Sequence, residues 1–260
     1  MATIERTAEN LEALRQVFTC IDNTTLEGCD TQQRVQLLCQ RSIDLQDTSR
    51  GIGHVAAVCV YPVFVRLAHK CLAGSGIRVA SVAGAFPAGQ SPIAIKLQEV
   101  QYALDEGADE IDMVISRGSF LEGDYNKVFD EISAIREITD NHTLKVILET
   151  GELQNSANIS KASDLAMKAG ADFIKTSTGK IAVSATLEAA EVMLQSIKKF
   201  HDTTGKWVGF KAAGGISTPD EALKYHQLVT QIVGKEQTTN QFFRIGASRL
   251  TDRLFAFLTE

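Results

Sequence analysis

The stretch Leu104-Asp105-Glu106-Gly107-Ala108-Asp109-Glu110-Ile111-Asp112-Met113-Val114-Ile115 changes hydrophobic period partway along, and that change decides the fold. Leu104 closes a stripe that starts at Ile93 and runs through Leu97 and Val100, the three- and four-residue spacing of an amphipathic helix. Gly107 ends it. Ile111 to Ile115 is then a short, nearly continuous apolar run, as expected of a strand buried on both faces of a parallel sheet. The alternation repeats in both directions. Strand-like runs occur at Val55 to Tyr61, Arg78 to Val82, Leu144 to Leu148, Phe173 to Thr176, Trp207 to Phe210 and Phe242 to Ile245. Helical stripes occupy Ile159, Ala162, Leu165, Ala166 and Ala169, and again Leu187, Ala190, Leu194 and Ile197. Ser91 before Pro92, and Thr218 with Pro219 and Glu221, mark helix starts by cap, first-turn proline and capping-box partner. With Ile21 to Leu26 as a first strand, eight strand-then-helix units result. They predict an α/β fold, a single (β/α)8 barrel, ahead of an open doubly wound sheet.

Bulk properties agree and narrow the function. The 260 residues, 44% of them hydrophobic, suit one barrel of ~250 residues. No linker or low-complexity tract interrupts them, so 1–260 reads as one domain. A net charge of -6, with no clustered run of Lys and Arg, excludes nucleic acid and anionic membrane as expected partners. Cys20, Cys29, Cys39, Cys59 and Cys71 are odd in number and lack the close spacing of zinc ligands, so no metal and a reducing compartment are expected. Met1 to Leu14 carries Glu5, Glu9 and Glu12 in place of a leader's apolar core, and the protein reads as cytoplasmic.

Ionisable residues inside apolar strands are the informative anomaly, because they are rarely buried unless paired or functional. Asp112, Lys145, Glu149, Lys175 and Lys211 are such residues. Gly107-Ala108-Asp109-Glu110-Ile111-Asp112 and Gly170-Ala171-Asp172-Phe173-Ile174-Lys175 echo each other, which makes Asp112 and Lys175 equivalents on strands four and six. Alternate strands share a layer inside a barrel, so acid and amine are expected to face one another. A lysine nucleophile must be neutral. Bringing its pKa from ~10.4 to about 7 requires roughly 4.6 kcal/mol against the ammonium, which burial and a neighbouring cation can supply. Lys175 is the expected nucleophile, Lys211 the neighbouring cation and Asp112 the proton-transfer group; Lys145 and Glu149 read as a buried pair. Glycine turns at Thr176 to Lys180, Ala213 to Gly215 and Gly246 to Ser248 follow strands six, seven and eight, where barrels bind phosphate through backbone N–H groups.

Phe173-Ile174-Lys175-Thr176-Ser177-Thr178-Gly179-Lys180 resembles the Schiff-base lysine motif of the deoxyribose-phosphate aldolase family. Asp22 to Leu26, Cys59 to Pro62, Glu110 to Val114, Lys145 to Leu153, Gly209 to Gly215 and Arg244 to Ser248 extend the likeness over nearly the whole chain. The resemblance implies reversible cleavage of 2-deoxyribose 5-phosphate to acetaldehyde and glyceraldehyde 3-phosphate without a cofactor, and it leans toward a homodimer. It implies further that Asp22 and Thr24 hold the sugar hydroxyl. The phosphate would meet Gly179, Lys180, Gly214, Gly215 and Ser248, with Thr178 in the same loop, and Cys59 would lie near the pocket. Three features depart from the family pattern. Ala212 replaces a common proline, Arg249 a common serine, and Glu260 follows the last helix directly where some members carry a longer tail ending in a tyrosine that assists proton exchange. A phosphate-binding isomerase without a covalent intermediate, and a silent sugar-phosphate binder, are the competing readings.

Overall fold

The structure, a computed structural model, describes residues 5–260; Met1 to Ile4, part of the segment read as lacking a leader, lie outside the described residues. Eight parallel strands form one closed barrel in sequence order: β1 (Ile21–Thr24), β2 (Ala57–Val60), β3 (Arg78–Ala83), β4 (Glu110–Val114), β5 (Thr143–Ile147), β6 (Phe173–Lys175), β7 (Gly209–Ala213) and β8 (Phe243–Ala247). Helix α1 (Ala8–Thr19) precedes β1. The others return the chain between strands: α2 (Gln32–Asp44), α3 (Val65–Leu72), α4 (Ile93–Asp105), α5 (Arg117–Leu121) and α6 (Tyr125–Thr139) together after β4, α7 (Ser156–Lys168), α8 (Leu187–Thr204), α9 (Pro219–Ile232) and α10 (Leu250–Thr259). The expected (β/α)8 barrel is the fold observed. Closure leaves no strand edge to protect.

The echoed Gly-Ala-Asp steps have a shared structural role. Gly107 and Gly170 end α4 and α7 with φ of 99° and 101°, and a Cβ on either would lie 2.9 Å from His69 or Arg136. Two residues on, the Asp109 carboxylate accepts the Val79 N–H at 2.8 Å and the Asp172 carboxylate accepts the Leu144 N–H at 2.8 Å. Each step therefore stops a helix and pins the next strand to its neighbour. Capping follows the same local logic: Thr218 and Glu221 form a full capping box at the start of α9. At α4 the helix begins at Ile93 with Pro92 as its cap and no side-chain bond, so Ser91 lies outside it, one residue from the expected start.

Two strands extend past their expected ends by two residues or more. β7 runs from Gly209 to Ala213, where Trp207 to Phe210 was expected, and β8 continues to Ala247 beyond Ile245. Lys211 and Gly246 break the apolar runs without breaking the hydrogen-bond ladder, because both face the barrel interior. Outward residues such as Val58, Ile111, Val146, Ile174, Phe210 and Ile245 join the core beneath the helices. Inside, Leu26, Ala57, Cys59, Ala80 and Val82 make a small apolar group near β1 to β3. The rest of the interior, from β4 round through β8 to Asp22 of β1, is charged.

Candidate active site

Strand register brings the interior charges together. Asp112 pairs in register with Lys145, and Lys175 with Lys211, which lies opposite Arg244. Asp112 accepts from all three lysines: its Oδ1 takes Lys145 Nζ at 2.7 Å, and its Oδ2 takes Lys175 Nζ and Lys211 Nζ, each at 2.7 Å. Lys211 also donates to Asp22, whose other oxygen accepts Arg244 Nη1 at 2.6 Å. Below, Glu110 accepts Arg244 Nη2 at 2.9 Å and pairs with Lys145. The sequence reading missed Glu110 and Arg244, although Arg244 shows the same signal, a charge between Phe243 and Ile245.

Lys145 and Glu149 are not a pair. Lys145 belongs to the Asp112 and Glu110 cluster, whereas Glu149 faces Arg117 and Thr178. Both are charges on or just after strand five, which is what suggests a pair. Glu149 follows the end of β5 with a φ of 59°, which takes it out of the strand alternation.

The cluster distinguishes its amines. Four cations (Lys145, Lys175, Lys211 and Arg244) face three carboxylates (Asp22, Glu110 and Asp112), so one neutral amine balances the charge of the interior. Burial acts against every ammonium here. For Lys211, Asp112 and Asp22 outweigh burial and hold it charged, with its pKa raised. Lys145 is likewise raised, by Asp112 and Glu110 against burial. For Lys175 the balance goes the other way: burial, opposed by Asp112 and aided by the Lys211 charge, lowers its pKa. Lys175 is therefore the amine most easily made neutral. With 3% exposure it is also the only lysine of the three to keep contact with the barrel mouth, since Lys145 and Lys211 are at 0%. Burial raises the Asp112 carboxyl, but Lys145, Lys175 and Lys211 reverse this and keep it ionised. Each cation that becomes neutral weakens that hold and makes Asp112 a better proton acceptor.

Around this centre, Asp22 is occupied by Lys211 and Arg244, and the Thr24 hydroxyl donates to the Asp22 carbonyl at 2.7 Å. Cys59 is buried in the apolar group; burial, then the Asp112 charge, raises its thiol pKa.

Three loops above β6, β7 and β8 carry the expected phosphate residues. A Cβ on Gly179 would lie 3.7 Å from the Gly214 Cα, so the first two loops touch. The backbone N–H groups of Gly179, Gly214, Gly215 and Ser248 donate to no protein group among the described residues. Thr178 and Lys180 differ from that expectation. Thr178 gives both its N–H and its hydroxyl to Glu149, and its Oγ1 accepts the Lys180 N–H at 3.1 Å. The Lys180 ammonium pairs with Glu27 at 2.9 Å. Thr178 thus shapes the loop, and Gly246 lies inside β8 where the sequence suggested a turn.

A cleft of about 990 Å³ lined by Gly89, Ser116, Asp124 and Glu131 lies outside the barrel. It is lined by the loop before α4, by α5 and by α6, and includes none of Lys145, Lys175 and Lys211. Among the described residues no cluster of three His, Cys, Asp or Glu side chains could hold a metal ion, and no helix is long and apolar enough to cross a membrane.

A family model described as DeoC/LacD family aldolase matches residues 17–246. A protein of Caenorhabditis elegans is 47% identical over 253 residues, covering 95% of this chain and 83% of its own length. Deoxyribose-phosphate aldolase of Mus musculus is 44% identical over 274 residues, covering 96% of this chain and 85% of that one. Among solved structures, the tetrameric deoxyribose phosphate aldolase of Aeropyrum pernix is 26% identical and superposes with a TM-score of 0.72, covering 96% of this chain and 98% of that chain.

Proposed function

The chain belongs to the DeoC/LacD family of aldolases, and on that basis we propose that it is a class I deoxyribose-phosphate aldolase with Lys175 as its Schiff-base nucleophile. The observation that carries the assignment of Lys175 is the asymmetry of the lysine cluster. Lys175 is the amine that burial and Lys211 push toward neutrality, while Lys211 and Lys145 are held charged.

The neutral Lys175 nitrogen adds to the C1 carbonyl of 2-deoxyribose 5-phosphate to give a carbinolamine, which loses water to give the imine. Protonated, that imine accepts the electron pair of the C2–C3 bond as the 3-hydroxyl gives up its proton, and glyceraldehyde 3-phosphate leaves. The enamine that remains takes a proton at C2, and water then releases acetaldehyde and restores the amine. Every step moves a proton close to Lys175. Asp112 accepts from Lys175 directly and is the group we assign to that transfer, through an ordered water where distance requires one. Lys211 supplies the adjacent fixed charge, and Asp22 holds Lys211 in place.

We assign the phosphate to the Gly179, Gly214, Gly215 and Ser248 backbone donors, with Lys180 contributing charge. Their unpaired N–H groups support this. We also propose that residues 1–260 work as one domain, that the protein is cytoplasmic, its five cysteines being free thiols, and that it forms a homodimer.

Borohydride reduction in the presence of acetaldehyde tests the central claim. The expected product is a two-carbon addition on the peptide that holds Lys175, lost together with turnover in Lys175→Met. Normal activity with an unmodified peptide would favour a non-covalent isomerase, and sugar-phosphate binding without turnover would favour a silent binder.

A further inference from the structure

Glu149 is buried at the end of β5, yet it takes no part in the ion cluster around Asp112. Its φ of 59° is a left-handed conformation that a non-glycine residue adopts only where its surroundings hold it there. The reason for that conformation lies in its partners. Oε1 accepts the Thr178 N–H at 3.1 Å, and Oε2 accepts both the Thr178 hydroxyl and Arg117 Nη1, the latter at 3.0 Å. Arg117, the first residue of α5, also donates to the Pro87 carbonyl at 3.1 Å and pairs with Glu152 at 2.8 Å. From Thr178 the connection continues to the Lys180 N–H and, through Gly179, to Gly214. Two residues beyond Glu149, a Cβ on Gly151 would lie 2.1 Å from the Val183 carbonyl oxygen, so the same turn also lies against the far end of the β6 loop. One carboxylate thus connects the loops that follow β3, β4, β5 and β6, and the last of these touches the loop after β7.

We propose that Glu149 is a positioning residue: by fixing Thr178 it sets where the Gly179 and Gly214 loops hold the substrate phosphate relative to Lys175, and so determines the preference for a phosphorylated over an unphosphorylated sugar. The proposal rests on the aldolase reading above. Thr178 turns its N–H toward Glu149 and leaves the neighbouring Gly179 N–H without a protein partner. The carboxylate itself stays behind the loop, with Thr178 and Arg117 covering both of its oxygens. Burial raises the Glu149 pKa, and the hydrogen bonds from Thr178 and then the charge of Arg117 offset that rise only in part.

The test compares the parent chain with Glu149→Gln on three readouts: kcat/KM for 2-deoxyribose 5-phosphate, kcat/KM for 2-deoxyribose, and the rate of borohydride trapping with acetaldehyde, which carries no phosphate. The expected result is a fall of about ten-fold or more in the ratio of the two kcat/KM values, since a small displacement of a bound group from its reacting partner is costly. Trapping and turnover of the unphosphorylated sugar should stay within about two-fold, because neither draws on remote phosphate binding. Equal losses on all three readouts, or an unchanged ratio, would overturn the proposal. Should Glu149→Gln fail to fold, Thr178→Val removes only the hydroxyl that Glu149 and the Lys180 N–H share, and it must lower the same ratio; an unchanged ratio there overturns the proposal equally. A parent protein that forms no adduct with acetaldehyde would remove the Schiff-base reading first, and this inference with it.

Discussion

Lys211 is an ammonium placed against the amine that must lose its charge, and its own protonation is secured by two carboxylates that accept from it. A lone buried lysine would meet the same desolvation cost and could be neutralised in its place; Asp22 and Asp112 prevent that exchange of roles. Replacing Lys211 by Met leaves three cations facing three carboxylates, so a protonated Lys175 is then the balanced state. Its pKa rises toward that of an ordinary lysine. Because activity requires the neutral amine, the acidic limb of the pH profile of kcat/KM should move to higher pH in Lys211→Met, with a loss of about ten-fold or more at neutral pH. An acidic limb that stayed in place would mean that Lys211 acts only as a spacer. The sequence showed these three lysines as charges in apolar strands and gave Lys175 and Lys211 their roles, but the carboxylate that helps hold Lys211 charged was hidden from it, since Asp22 lies 189 residues from Lys211.

Two interior glycines separate activity from stability at the level of the strands. A Cβ on Gly246 of β8 would lie 3.2 Å from Lys211 Cε and 3.1 Å from Ala213 Cβ. Both contacts are tight, and the lysine is the softer of the two. Gly246→Ala is therefore expected to move the Lys211 amine by a few tenths of an ångström and lower kcat by about ten-fold, with little change in melting temperature. A Cβ on Gly209 of β7 would lie 2.3 Å from the Phe173 ring, which Arg244 also covers at 5.6 Å. Gly209→Ala is expected to destabilise the fold by about 1–3 kcal/mol, read by thermal unfolding. If Gly246→Ala lost only stability and Gly209→Ala only activity, this division would be wrong. The existence and order of the strands were legible because each carries an outward apolar row. Their ends were not: Lys211 and Gly246 face inward and interrupt the hydrophobic pattern while the ladder of hydrogen bonds runs on past them.

For the whole barrel, the consequence of an ionic interior is a steep dependence of stability on acid. Asp22, Glu110 and Asp112 bear a burial cost that would raise their pKa values, yet the cations facing them reverse it, and all three are lowered. Carboxylates whose folded pKa lies below the unfolded value contribute stability that is fully present above the unfolded value of about 4 and is lost as pH falls through the folded one. Below about pH 4 the unfolded chain binds more protons than the folded one, so the melting temperature should fall with each further drop in pH. Above that range these three groups stay ionised in both states and contribute no pH dependence. The network was only partly legible from sequence for the same reason that it is cooperative: Arg244 joins Asp22 and Glu110, residues 222 and 134 positions away. Glu110→Gln tests the account, because it removes one depressed carboxylate and leaves Arg244 and Lys145 short of a partner. At neutral pH it should cost about 3 kcal/mol, the usual scale for breaking a buried pair on one side. In acid the gap to the parent protein should narrow, since the parent's unfolded chain then takes up a proton on this carboxyl that its folded state does not; a gap that stayed constant from neutral pH to about pH 3 would show that Glu110 contributes packing and not charge.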